Sequence, residues 1–110
     1  MALGMNWEQV EQRLDHLSSY SGLSSTIDAM KRILYVLRED TRLDDVQRGV
    51  SHAALRFGYP AALAFVLVGW TDQEGYSVSI WAPSGAILHR SLVAERDVPA
   101  VVHQYLKLLL

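Results

Sequence analysis

The chain has 110 residues, half of them apolar and a fifth charged, which is the composition of a folded domain rather than a disordered chain. It has no cysteine, so disulfides, thiolate metal sites and cysteine nucleophiles are excluded. Its formal net charge of −2 and pI near 6.0 provide no basic stripe to neutralise phosphates, which argues against a nucleic-acid partner.

No positively charged segment followed by a long apolar run opens the chain, so no signal peptide is expected and the cytoplasm is the expected compartment. The longest apolar run, Pro60 to Trp70, is too short to span a bilayer, so no membrane partner is expected. No repeat or inter-domain linker is visible, and 1–110 reads as a single α+β domain.

The first helix starts at Asn6, a good N-cap, with Gln9 placed to complete a capping box. Trp7, Val10, Leu14 and Leu17 make one narrow apolar stripe, and Ser18 to Gly22 ends it. A second helix starts at Ser25. Its stripe, Ile27, Met30, Leu34 and Leu37, is widened by Ile33 and Val36. A third helix is predicted from Thr41. Leu43, Val46, Val50, Ala53 and Phe57 form its stripe, and Gly58 is its C-cap before Tyr59-Pro60. The predicted helical half is thus 6–58.

The period then changes. Ala61 to Trp70 is β-rich and almost wholly apolar. Asp72 to Gly75 reads as a hairpin turn, Tyr76 to Ala82 alternates, and Pro83-Ser84-Gly85 turns into a strand from Ala86 to Leu92. Asp97 can cap a last helix, with Pro99 in its first turn. The predicted architecture is three N-terminal helices, a three-stranded antiparallel β-meander over 61–92 and a C-terminal helix over 97–110.

The functional expectation rests on strand pairing. If residues 72 and 75 close the first hairpin, 66 faces 81 and 67 faces 80. If Ala82 faces Ala86, 79 faces 89. One face then carries Leu63, Phe65, Leu67, Tyr76, Val78, Ile80, Leu88 and Leu92, an ordinary core for the helices, with Arg90 at its margin. The other carries Val66, Val68, Trp70, Trp81 and Ile87 beside Ser77, Ser79, His89 and Ser91. A sheet covered on one side should be polar on the other, and this face is only half polar. A patch of roughly 400 Å² of that kind usually marks a binding site.

In a meander the first strand is an edge, yet Ala61 to Trp70 has no charge or internal proline to block pairing. A second copy pairing there would cover it. So would the chain's own helices crossing to that face, or a strand order that puts 61–70 in the centre. Leu108 and Leu110 lie off the last helix's main stripe and leave its end apolar nearly all round. The expected function is a non-catalytic protein-interaction module, a homodimer or an adaptor. Its interface or ligand candidates are Val66, Val68, Trp70, Ser79, Trp81, Ile87, His89, Leu108 and Leu110.

No catalytic residue, cofactor or metal site is expected. His16, His52, His89 and His103 have no second ligand at metal spacing, and a lone histidine is more often a surface or margin residue. Ser79 beside His89 has a serine nucleophile's residue types but no orienting carboxylate, and a cross-strand hydrogen bond explains the pair without catalysis. The alternative reading is a small-molecule sensor or carrier with a pocket between sheet and helices, lined by Tyr76, Trp81 or His89. Residues 43–70, read as a helix leading through Gly58 into an apolar strand, are loosely similar to the opening of GAF-type sensor domains, without a diagnostic motif.

Overall fold

The computed structural model describes residues 4–20, 22–60 and 62–110. Two helices come first, α1 (Trp7–Leu17) and α2 (Ser24–Arg38), followed by a single 3-10 turn at Thr41–Leu43. Five strands follow: β1 (Gln47–Ser51), β2 (Ala54–Gly58), β3 (Phe65–Thr71), β4 (Gly75–Trp81) and β5 (Ile87–Val93). A 3-10 turn at Glu95–Asp97 leads into α3 (Val98–Lys107). The strands form one antiparallel sheet in the order β1-β2-β3-β4-β5. The chain is an α+β fold of two layers, with three helices on one face of a five-stranded sheet.

The capping box at the start of α1 is formed as its residue types suggest. The Asn6 side chain accepts from the Gln9 N–H at 2.8 Å, and the Gln9 side chain accepts from the Asn6 N–H at 2.9 Å. The apolar stripes do their expected work. Val10 and Leu14 from α1, and Ile27, Met30, Ile33, Leu34 and Leu37 from α2, are all buried against the sheet. From the last helix Val98, Val102, Tyr105 and Leu106 complete the core.

The predicted third helix is instead a β-hairpin. Residues 47–58 fold as β1 and β2, with Ser51 paired to Ala54 around a two-residue loop of His52 and Ala53. The spacing of Leu43, Val46, Val50, Ala53 and Phe57 fits a helical stripe. Leu55 and Phe57, both about 1% exposed, fit a two-residue alternation around Arg56 equally well. Tertiary pairing decides between them. The apolar β3 needs a partner on each side, and β2 supplies the second one. The strand predicted at the edge is therefore central, which was the alternative strand order. The likeness to GAF-type domains over 43–70 rested on that helix and goes with it.

Three boundaries also move. β3 begins at Phe65, because Ala62 to Ala64 belong to the connection from β2; a start at Ala61 lies outside the described residues. The helical half of 6–58 shortens to two helices ending at Arg38, and α3 stops at Lys107 rather than at the last residue.

The register of the β3–β4 hairpin is shifted by one residue from the predicted pairing. Thr71 pairs with Gly75 around three loop residues, and Gly75 closes the loop at φ 73°. Such a left-handed position after a turn suits glycine and makes a three-residue loop. Residue 66 therefore faces 80, 68 faces 78 and 70 faces 76. A one-residue slip exchanges the two faces of a strand. Val66 and Val68, fully buried, point at the helices, whereas Phe65 and Leu67 point away.

Candidate docking edge and open sheet face

The chain treats the two edges of its sheet differently. On β1, the N–H groups of Gly4 and Met5 both donate to the Arg48 carbonyl, at 2.8 and 2.9 Å. Arg48 returns the contact, its guanidinium donating to the Met5 carbonyl at 3.3 Å and lying 4.3 Å from the centre of the Trp7 ring. The segment before α1 is thereby fastened across that edge. Burial pushes the Arg48 guanidinium below its ordinary pKa; its Nη2 donates to the Leu43 and Asp44 carbonyls at 2.9 and 3.0 Å, while its buried Nε has no hydrogen-bond partner among the described residues.

On β5, among the described residues, no backbone hydrogen bond arrives from the outer side. The strand is seven residues long and has no proline. A β-bulge interrupts its pairing with β4, so that Ile87 and Leu88 together oppose Trp81 while His89 already faces Ile80. Beyond the bulge, Arg90 faces Ser79 and Leu92 faces Ser77. Ile87, Leu88 and Leu92 are 50%, 57% and 55% exposed. α3 packs over β3 and β4, set back from this edge, and its Tyr105 hydroxyl meets the Ser91 hydroxyl. Past Tyr105, which also lies beside His89 of β5, Leu108 and Leu110 are exposed at the end of α3. Among the described residues, five of the eight exposed large apolar side chains thus lie on β5 or just past α3.

Next to this edge, the open face of the sheet carries a short aromatic ladder. Phe65 and Trp81 sit opposite each other on β3 and β4. The Arg56 guanidinium lies 3.5 Å from the centre of the Phe65 ring, a cation–π contact. Burial lowers the Arg56 pKa from its ordinary value. The Trp81 indole N–H donates to the Ser79 hydroxyl at 2.8 Å, which explains why Ser79 is polar and yet buried. Phe65, Leu67 and Trp81, with Ser51, His52 and Ala54 of the β1–β2 hairpin, border a surface cleft of about 350 Å³.

The predicted site residues are therefore divided. Trp81 and Ile87 lie on the open face, with Ser79 buried there under the indole. Leu108 and Leu110 are exposed beyond α3. Val66 and Val68 are core residues, and Trp70 is half-buried on the helix side opposite Tyr76, so none of these three joins the patch. His89 is exposed but on the helix side, 5.9 Å from the Tyr105 ring centre. It does not face Ser79, because the bulge places Arg90 there. Tyr76, buried under α2, and Trp81, on the far side of the sheet, do not line one pocket. Pairing had missed Phe65, Leu67, Leu88 and Leu92 as open-face residues. The left-handed closing glycine at position 75 was the available signal for Phe65 and Leu67, whereas Leu88 and Leu92 change face at the β4–β5 bulge, which no residue type marks.

Among the described residues, no group of three or more histidines and carboxylates is placed to hold a metal ion, and no helix is long and apolar enough to cross a membrane. No family model matches the chain, and no curated protein or solved structure is significantly similar to it.

Proposed function

We propose that the protein is a non-catalytic interaction module that docks a partner on the β5 edge, together with the adjoining open sheet face and the end of α3. The observation that carries this reading is the contrast between the edges. One is fastened by the chain's own backbone, while the other is long, unpaired and flanked by exposed Ile87, Leu88, Leu92, Leu108 and Leu110. An edge of this kind is a template for a further strand, and proteins usually block it with prolines or charges or cover it. Main-chain hydrogen bonds would supply register, and the exposed leucines would supply apolar area.

The test is site-specific photo-cross-linking in the cell that makes the protein. A photoreactive side chain replaces Leu92 on the proposed surface or, as control, Arg13 on the exposed side of α1. A discrete adduct from Leu92 and none from Arg13 is expected. Equal labelling from both, or no adduct from Leu92, would sink the docking reading.

A further inference from the structure

Resting on that reading, we infer that the occupant of the β5 edge is a second copy of this chain. Its β5 pairs antiparallel with the first about a two-fold axis through Arg90, joining two five-stranded sheets into one.

The residues of β5 are self-complementary in this register. An axis through Arg90, the middle residue of Ile87–Val93, pairs the five residues from Leu88 to Leu92, on the regular side of the bulge. It sets Leu88 of each copy opposite Leu92 of the other, so that two leucine pairs flank the axis on the open face. On the helix side it sets His89 opposite Ser91. Opposed residues of an antiparallel pair lie on the same face, so a two-fold axis must pass through a residue. Moving it to His89 or Ser91 would put Arg90 opposite a leucine instead. A two-fold contact is also the commonest way to close an exposed surface without open-ended assembly.

The obvious objection is the charge, since Arg90 would face Arg90 and directly opposed like charges destabilise a strand pair. The structure answers it. The Arg90 guanidinium is bound to the Glu74 carboxylate at 2.7 Å. Glu74 lies in the β3–β4 loop, beside the end of β4 that pairs with Val93. The charge is thus drawn along the sheet, away from the middle of the strand, and neutralised. A two-fold axis sends the two guanidinium groups in opposite directions, each to its own Glu74. The only charged side chain on the edge then guards nothing and clashes with nothing. α3 packs mainly over β3 and β4 and reaches β5 through Tyr105, against His89 and Ser91 on the helix side.

The absence of cysteine makes the register directly measurable. Sedimentation of the intact chain at micromolar concentration should give twice the 12.3 kDa chain mass. Leu92→Lys, at an exposed position, should reduce this to one chain mass with an unchanged circular dichroism spectrum. Under mild oxidation Arg90→Cys should cross-link with itself. Leu88→Cys and Leu92→Cys should cross-link when mixed and far less when alone, because only the residue on the axis meets its own copy. Glu74→Gln frees Arg90 and should weaken the dimer about tenfold, with recovery in Glu74→Gln/Arg90→Ala. A chain that stays monomeric overturns the inference, and so does a dimer in which Arg90→Cys fails to cross-link. A monomer whose position 92 still photo-cross-links to a different protein refutes the second copy but leaves the docking reading standing.

Discussion

Phe65 and Trp81 stack across β3 and β4 with ring centroids 6.5 Å apart and planes only 7° from parallel. With Arg56 on the other side of Phe65, they form a layer on the face that no helix covers. Aromatic pairs of this kind contribute beyond the area they bury. A double-mutant cycle with Phe65→Leu and Trp81→Leu, read by urea unfolding, should give a coupling of about 0.5–1.5 kcal/mol. A coupling of zero would mean that the two rings act independently and that the ladder is not a unit.

The hairpin register makes an unusual ordering of two neighbouring truncations. Val68 is fully buried beneath the helices, while Leu67 is half-buried on the open face. Val68→Ala should cost about 2–3 kcal/mol, because the core cannot close fully around the missing methyl groups. Leu67→Ala removes more atoms but should cost only about 1 kcal/mol, because its site is already partly wet. Denaturant midpoints of the two variants decide the matter. The reverse order would place the predicted register, with 67 facing inward, above the one found.

The legible part of this fold is the part with one consistent period. α1, α2 and the last helix announce themselves by apolar stripes and by the Asn6–Gln9 box, and β4 announces itself by its alternation from Tyr76 to Ala82. The illegible part is where two periods agree with the same residues. Val46, Val50, Ala53 and Phe57 satisfy a helix, and only the need of β3 for a second neighbour makes 47–58 a hairpin. Its turn, Ser51-His52-Ala53-Ala54, contains none of the glycine or asparagine that usually marks such a loop. The site was half legible for a related reason. An apolar open face was foreseeable, but its membership hinged on whether Gly75 closes a two-residue or a three-residue loop, and on the bulge at Ile87 and Leu88. Neither is fixed by the two-residue alternation of the strands.

That unmarked turn carries a measurable cost. His52 has φ 55°, in the left-handed region, and its side chain is exposed. A residue with a Cβ held there is strained by roughly 1–2 kcal/mol, whereas glycine is not. Glycine also gains freedom in the unfolded chain, which offsets part of the relief. His52→Gly should therefore raise stability by up to about 1 kcal/mol. His52→Val, with branching at Cβ, should lower it by about 1–2 kcal/mol. Thermal or urea unfolding of the pair reads both signs at once. Stabilisation by valine would mean that the turn is not strained as described.

Tyr76 gives the fold a dependence on alkaline pH. Its hydroxyl donates to the Ala29 carbonyl in α2 at 2.7 Å, with a Glu95 carboxylate oxygen 3.5 Å away. Burial, and then the negative charge of Glu95, push the phenol above its ordinary value of 10.0. The protonated form is therefore the one the fold holds. Below the unfolded value the stabilisation is complete. As pH rises beyond it, the unfolded chain releases the proton first, and stability falls until the folded phenol ionises as well. Tyr35, raised by its hydrogen bond to Glu11, adds to the same slope, so the readout is the difference between wild type and Tyr76→Phe. At neutral pH the variant should lose about 1 kcal/mol with the hydrogen bond to Ala29. Above roughly pH 10 the gap should narrow, because phenylalanine has no proton to lose. Urea midpoints at neutral pH and near pH 11 test this, and parallel curves for the two proteins would show that the Tyr76 phenol is not held protonated by the fold.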